Sequence, residues 1–202
     1  AHDIFFDAMR TTLQKDFGAK SLHLFDFKFK KRPSLRPDDT PDFWSGWAIE
    51  FKLIKIAQKK LAPQELSRFA MIPLGSNSPK IEIYISEHEF CENHEEFNLG
   101  DRKIKVYSRA LLILEKIRAI CQQHPTYRYK IADERARDYY DIERLWTKAI
   151  SENTYPQLLS DCQKFLNAVF NAKGVESDLL KKIFETSFIE TQSQGWPTVQ
   201  ST

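Results

Sequence analysis

Two helical stretches of this chain place charged groups where a helix is otherwise apolar. In DERARDYYDIERLW, Asp133 to Trp146, a helical wheel at about 100° per residue gathers Ile142, Leu145, Trp146 and Ala149 into one stripe. Asp138 falls inside that stripe and Asp141 at its edge. The preceding helix, starting near Ser108, carries Lys116 with Leu112 and Ile113 a turn before it and Ala119 and Ile120 a turn after. An isolated ammonium on an apolar face is expelled or neutralised, because burying a charge without a partner is strongly unfavourable. Lys116 therefore needs an anion: Asp138, Asp141, or a phosphate that takes their place. Arg137 stands at helical spacing from Asp141 and can close the same network. Spacing alone does not separate a structural salt bridge from a catalytic group.

Other candidate residues lie in the first half. KFKKRPSLR concentrates five cations, Lys28, Lys30, Lys31, Arg32 and Arg36, near Trp44 and Trp47. Such a segment can steer a nucleic-acid backbone toward a site, or be an exposed strand end. PDFWSGWAIEFK sets Asp42 ahead of Glu50 and Lys52, a spacing similar to the metal site of PD-(D/E)xK nucleases. HEFCENHEEF offers His88, Cys91 and His94 to zinc, without an evident fourth ligand and amid acidic residues that suit a solvated surface segment.

The elements that must position these groups are strands first and helices after. AHDIFFDAMRTTLQKDF reads as a helix stopped by Gly18. SLHLFDFKFKK alternates, with His23, Phe25, Phe27 and Phe29 on one face and Leu22, Leu24, Asp26, Lys28 and Lys30 on the other. In GWAIEFKLIKI, Trp47, Ile49, Phe51 and Leu53 oppose Ala48, Glu50, Lys52 and Ile54. KIEIYIS turns Ile81, Ile83 and Ile85 inward, with Glu82 outward, and RKIKVYS makes a short fourth strand. If the charged sides coincide, they form a polar floor roofed by the helices. YPQLLSDCQKFLNAVF and ESDLLKKIFETSFIE are amphipathic helices. The expected architecture is α+β: residues 1–107 a sheet-containing core, 108–192 a helical bundle, 193–202 a loose tail.

KVYSRALLILEKIRAI, followed by RARDYYDIERLW, resembles the C-terminal half of the AbiEii/AbiGii-type nucleotidyltransferase toxins, which pair a Glu-Lys helix with an Arg-Asp-x-x-Asp helix. The resemblance covers roughly Lys80 to Trp146. It implies a polymerase-β-like nucleotidyltransferase fold with a mixed sheet, using Mg2+ and a nucleoside triphosphate to modify an RNA or protein acceptor, in phage defence or beside an antitoxin. On that footing Lys116 meets the triphosphate and Asp138 and Asp141 orient it. Arg137, Lys28 and Lys30 bind substrate, and Glu82 and Asp26 are the carboxylates for the metal. The family's Gly-Ser turn and Asp-x-Asp pair do not occur in this sequence: Phe5 follows Asp3 at the second position, and Lys28 follows Asp26. Either the chain begins inside the domain or it is a degenerate relative, a binding or regulatory protein without transfer chemistry.

The totals fit this reading. The chain has 202 residues, 42% of them hydrophobic, and a net charge of +2 that does not by itself announce a nucleic-acid protein. No apolar run approaches a membrane span and no signal peptide is evident, so a cytoplasmic protein is expected. Cys91, Cys121 and Cys162 are widely spaced and odd in number, as for reduced thiols.

Overall fold

The computed structural model describes residues 2–34, 40–100, 102–129 and 134–200. The chain divides into two compact units, Ala1–Glu87 and His88–Thr202. The division falls ahead of the expected boundary before Ser108.

The first unit packs one helix on an antiparallel sheet. Helix α1 spans His2–Ala19, strand β1 Leu22–Arg32, strand β2 Gly46–Lys55, a one-turn helix α2 Pro63–Leu66, and strand β3 Ile81–Ser86. The sheet order is β1-β2-β3, and both pairings are antiparallel where a mixed sheet was expected. Gly18 does not stop α1; the helix runs through it, and Ser21, at φ +59°, turns the chain into β1. Gly46 starts β2 so close to β3 that a Cβ there would sit 2.4 Å from the Ile85 carbonyl oxygen.

The core of this unit gathers Phe6, Met9, Leu13 and Phe17 of α1 against Ile49, Phe51 and Leu53 of β2 and the three isoleucines of β3. Both β2 and β3 follow the expected alternation. β1 follows it only beyond Asp26. The register shifts between Phe25 and Lys28, with Asp26 at φ +52°, a conformation Asp tolerates better than most residues. One extra residue reverses which parity faces α1. Leu22 and Leu24 therefore join Phe27 in the core, and His23 and Phe25 lie on the opposite face, contrary to the simple alternation.

The second unit is helical with a hairpin. Among the described residues strands β4 (His94–Leu99) and β5 (Arg102–Tyr107) pair only with each other, so RKIKVYS lies in a separate two-stranded sheet whose other strand begins at the end of the acidic HEFCENHEEF segment. Helices α3 (Arg109–Cys121), α4 (Ala136–Ser151) and α5 (Tyr155–Ala172) follow, then the shorter α6 (Leu179–Lys182), α7 (Thr186–Ser193) and α8 (Trp196–Gln200). ESDLLKKIFETSFIE is thus broken rather than one helix, and Phe184 is exposed at the break. Leu111, Leu114, Val169, Phe170 and Phe188 form one cluster; Ala110, Ile113, Ala149 and Leu158 form a second, with Ile142, Leu145 and Trp146 against it.

Gln192 and part of the segment expected to be a loose tail make contacts with α4 and the residues just before it. The buried Gln192 side chain accepts the Arg135 N–H at 2.8 Å, Tyr140 meets the Trp196 ring edge-on, and a Cβ on Gly195 would approach Glu134 Cβ to 2.8 Å.

Candidate functional site

Helix α3 begins on Ser108, whose hydroxyl accepts the Leu111 N–H at 3.3 Å and a bond from Asn93 at 3.0 Å. This cap fixes the start of a helix that is buried along most of its length. Lys116 emerges near its middle. The facing helix α4 has Asp138 in its first turn, where a carboxylate also complements the helix dipole, and Asp141 one turn on. Ile142, Leu145, Trp146 and Ala149 of α4 pack on the α3–α5 cluster, as the apolar stripe requires.

The three charges meet. Lys116 Nζ donates to Asp138 Oδ1 at 2.9 Å and to Asp141 Oδ2 at 2.8 Å. Arg137 Nε reaches the other Asp141 oxygen at 3.1 Å, closing the i,i+4 pair read from sequence. Arg135 lies 3.7 Å from the second Asp138 oxygen, a contact that sequence reasoning missed although the i,i+3 spacing signals it. Three cations thus surround two carboxylates.

Burial alone lowers the affinity of Lys116 for its proton, but hydrogen bonds and charges from Asp141 and Asp138 outweigh it and raise the pKa above the ordinary lysine value. Burial likewise pushes the Asp141 carboxyl up, and the bonds and charges of Lys116 and Arg137 more than reverse this, holding it below the usual range. Lys116 and Asp138 border a cleft of about 300 Å³, shared with Glu115, Arg118, Glu89 and Tyr107. Glu115 accepts from Arg118 through one oxygen while the other is buried without a hydrogen bond. Burial is the main cause that raises its pKa.

The sheet candidates are arranged differently. Lys28 lies 2.7 Å and Lys52 2.9 Å from opposite oxygens of Asp26. Lys30 donates to the buried Glu50 at 2.8 Å, and Glu82 is held by Lys80 at 2.8 Å and by the Tyr84 hydroxyl at 3.0 Å. Hydrogen bonds from these lysines are the leading cause that holds the Asp26, Glu50 and Glu82 carboxyls below their ordinary values. Lys28 and Lys30, expected to bind substrate, pair with Asp26 and Glu50 in the sheet unit. Asp26 and Glu82 do not fit a magnesium site, since each already balances ammonium charge and magnesium wants several converging oxygens. Among the described residues no group of three His, Cys, Asp or Glu is placed to hold a metal. The same finding removes the zinc reading of His88, Cys91 and His94; the His94 ring instead bonds the Cys91 carbonyl at 3.2 Å. Glu50 and Lys52 are committed to Lys30 and Asp26, so the nuclease-like constellation with Asp42 does not assemble as a metal site. Trp47 belongs to the core of the sheet unit. Arg36 and Asp133 lie outside the described residues.

The family model described as Nucleotidyl transferase AbiEii toxin, Type IV TA system matches residues 5–201. The chain therefore belongs to the AbiEii nucleotidyl transferase toxin family, of type IV toxin–antitoxin systems. No curated protein and no solved structure matches it. Among the described residues no helix is long and apolar enough to cross a membrane.

Proposed function

We propose that this chain works as a cytoplasmic nucleotidyltransferase toxin, in phage defence or beside an antitoxin, moving a nucleotide from a nucleoside triphosphate to an RNA or protein acceptor. The polymerase-β-like core implied by the family resemblance is part of the same proposal. The observation that carries it is Lys116, shared between Asp138 and Asp141 at the edge of a cleft and backed by Arg135 and Arg137.

Nucleotidyl transfer is mostly positioning and charge stabilisation. The acceptor oxygen bonds to the α-phosphorus while the bond to pyrophosphate breaks, and negative charge grows on the leaving phosphates. Lys116 supplies a compact cation that exchanges one aspartate contact for a phosphate oxygen. The remaining aspartate keeps the ammonium aimed into the cleft, and Arg137 stands ready for a second phosphate. The Mg2+ that the family resemblance implies is not accommodated by Asp26 and Glu82, so the steps assigned to this chain are those of its cations.

That misfit, with the absent Asp-x-Asp sequence, favours one second reading: a relative that binds nucleotide or partner without transfer. Incubation with labelled nucleoside triphosphates, magnesium and total RNA separates the two. The active toxin transfers label, and Lys116→Ala reduces transfer at least about 100-fold, the scale of losing one charge-stabilising group. Transfer that survives the substitution removes Lys116 from the chemistry. A parent chain that retains triphosphate in equilibrium dialysis and transfers none of it is the inert relative.

A further inference from the structure

The basic segment that stands out in sequence is largely neutralised in the fold. Lys28, Lys30 and Lys31 are paired with Asp26, Glu50 and Glu87, and Arg32 lies over the Tyr84 ring. A less conspicuous set is left without ion partners among the described residues: Lys55, Lys59, Lys60 and Arg68, all exposed. The one carboxylate in their stretch, Glu65, turns back to accept the Ala62 N–H at 3.3 Å.

The same stretch leads into an uncharged run, Phe69 to Pro79, with large apolar side chains in water. Ile72 is 61% exposed, Leu74 is fully exposed, and Phe69 and Met71 are exposed as well. These residues are anchored rather than frayed. The Ile56 N–H donates to the Ser21 carbonyl at 2.9 Å and the Met71 N–H to the Leu53 carbonyl at 2.8 Å, so the loop is tied beside the start of β1 at one foot and to the end of β2 at the other, with Ile72 and Leu74 directly after the second foot. Adjacent apolar side chains held in solvent and bordered by free cations carry the composition of an interface core and its charged rim.

We propose that the Lys55–Leu74 loop is a docking surface for an acidic, amphipathic protein segment. The cations call for a negatively charged partner. The apolar centre calls for one that buries hydrocarbon. Single-stranded nucleic acid stacks on aromatic platforms, and Phe69 is the loop's one aromatic residue. Membrane interfaces select Trp and Tyr, and the loop has neither. Phe and Met beside Arg and aliphatic side chains suit a protein interface, and Met71 adapts to irregular apolar surfaces.

The test uses the full chain and a fluorescein-labelled synthetic helix with Leu at i, i+3, i+4 and i+7 and Glu at the remaining positions, followed by fluorescence anisotropy. The peptide binds, and its dissociation constant rises about tenfold when salt is raised from about 0.05 to about 0.5 M. Ile72→Glu combined with Leu74→Glu abolishes binding. Lys59→Glu combined with Lys60→Glu weakens it about tenfold at the lower salt, with thermal melting unchanged in both variants. A companion peptide with Lys in place of Glu does not bind. The proposal is overturned if the acidic peptide fails to bind, if both variants bind it as the parent does, or if the Lys peptide binds equally. It is also overturned if phosphatidylserine vesicles or a uridine homopolymer bind through these residues and displace the peptide.

Discussion

Lysine and carboxylate meet in the sheet unit and again in the helical unit, and the two networks differ in charge balance and in what surrounds them. Across the sheet, Lys30 and Lys80 approach Glu50, and Lys80 also holds Glu82, so two ammonium groups answer two acids. The lysine side chains stay 49% and 39% exposed and can return to water if a partner is lost. Between α3 and α4 a single, less exposed ammonium is shared by two aspartates, and two arginines engage the outer oxygens. The first arrangement is a neutral cross-strand ladder that ties β1 to β2 and β3. The second sets three cations around two carboxylates beside a cleft that Glu89, Glu115 and Arg118 also line.

The comparison predicts its largest effect at Lys116. Lys116→Ala leaves two part-buried carboxylates facing each other without their shared cation. Removing one member of a fully buried pair costs about 3–5 kcal/mol, and partial exposure brings the expected loss to about 1–3 kcal/mol at pH 7 by urea unfolding. The pH dependence identifies the cause. Asp141 is held below its ordinary pKa, so in the parent its contribution is present above the unfolded carboxylate range and is lost as pH falls through the depressed value. The substitution removes the larger part of that contribution, which comes from Lys116, and leaves the part from Arg137, so the two stability curves should converge below about pH 4. A variant as stable as the parent at pH 7 would make the helix network no different from the ladder.

Glu50 probes the other side. It is buried on the central strand between Ala48 and Ile54, which are both fully buried. Glu50→Ala should cost about 1–2 kcal/mol, chiefly through the hole left among these neighbours, because Lys30 rehydrates. Glu50→Leu should come close to the parent, as replacements of buried ion pairs by hydrocarbon often do. Neither change should alter label transfer. A Glu50 variant that loses transfer while keeping its fold would give the ladder the role argued for Lys116.

How much of this was legible in the sequence follows from the same contrast. Charges on an apolar helical stripe are conspicuous, and Lys116, Arg137, Asp138 and Asp141 were read from spacing because α3 and α4 obey a regular period. The face alternation of β2 was equally readable because its period is unbroken. β1 was misread ahead of Asp26 because one residue at positive φ inserts a bulge, and nothing in LFDFKF announces it. The cations of Lys28–Arg32 are dense in sequence, but Lys28 pairs along its own strand with Asp26, and Lys30 and Lys31 pair with Glu50 and Glu87. The unpaired Lys55–Arg68 set was overlooked because pairing depends on register, which periodicity alone does not specify. Arg135 was missed because it precedes the first turn of α4.

The smallest effect should come from the end of the sheet, where a carboxylate stands among two neutral donors and one cation. Glu87 accepts from Lys31, from the Ser45 hydroxyl at 2.5 Å and from the Trp47 indole N–H at 2.7 Å. The Lys31 and Ser45 hydrogen bonds lead the causes that bring its pKa down to about 2. The side chain lies at the strand ends, where water competes for each bond, so Glu87→Gln should cost only about 0.5–1 kcal/mol at pH 7. A depressed carboxyl contributes stability that is complete above its unfolded pKa and is lost as pH falls to the folded value. The difference between parent and variant should therefore persist down to about pH 4.5, shrink below it, and be nearly gone near pH 2, as followed by circular dichroism in urea. A difference independent of pH would assign the effect to the geometry of the three donors. In that case the sheet would owe nothing to charge at this end, and the contrast with the cation-rich helix pair would sharpen.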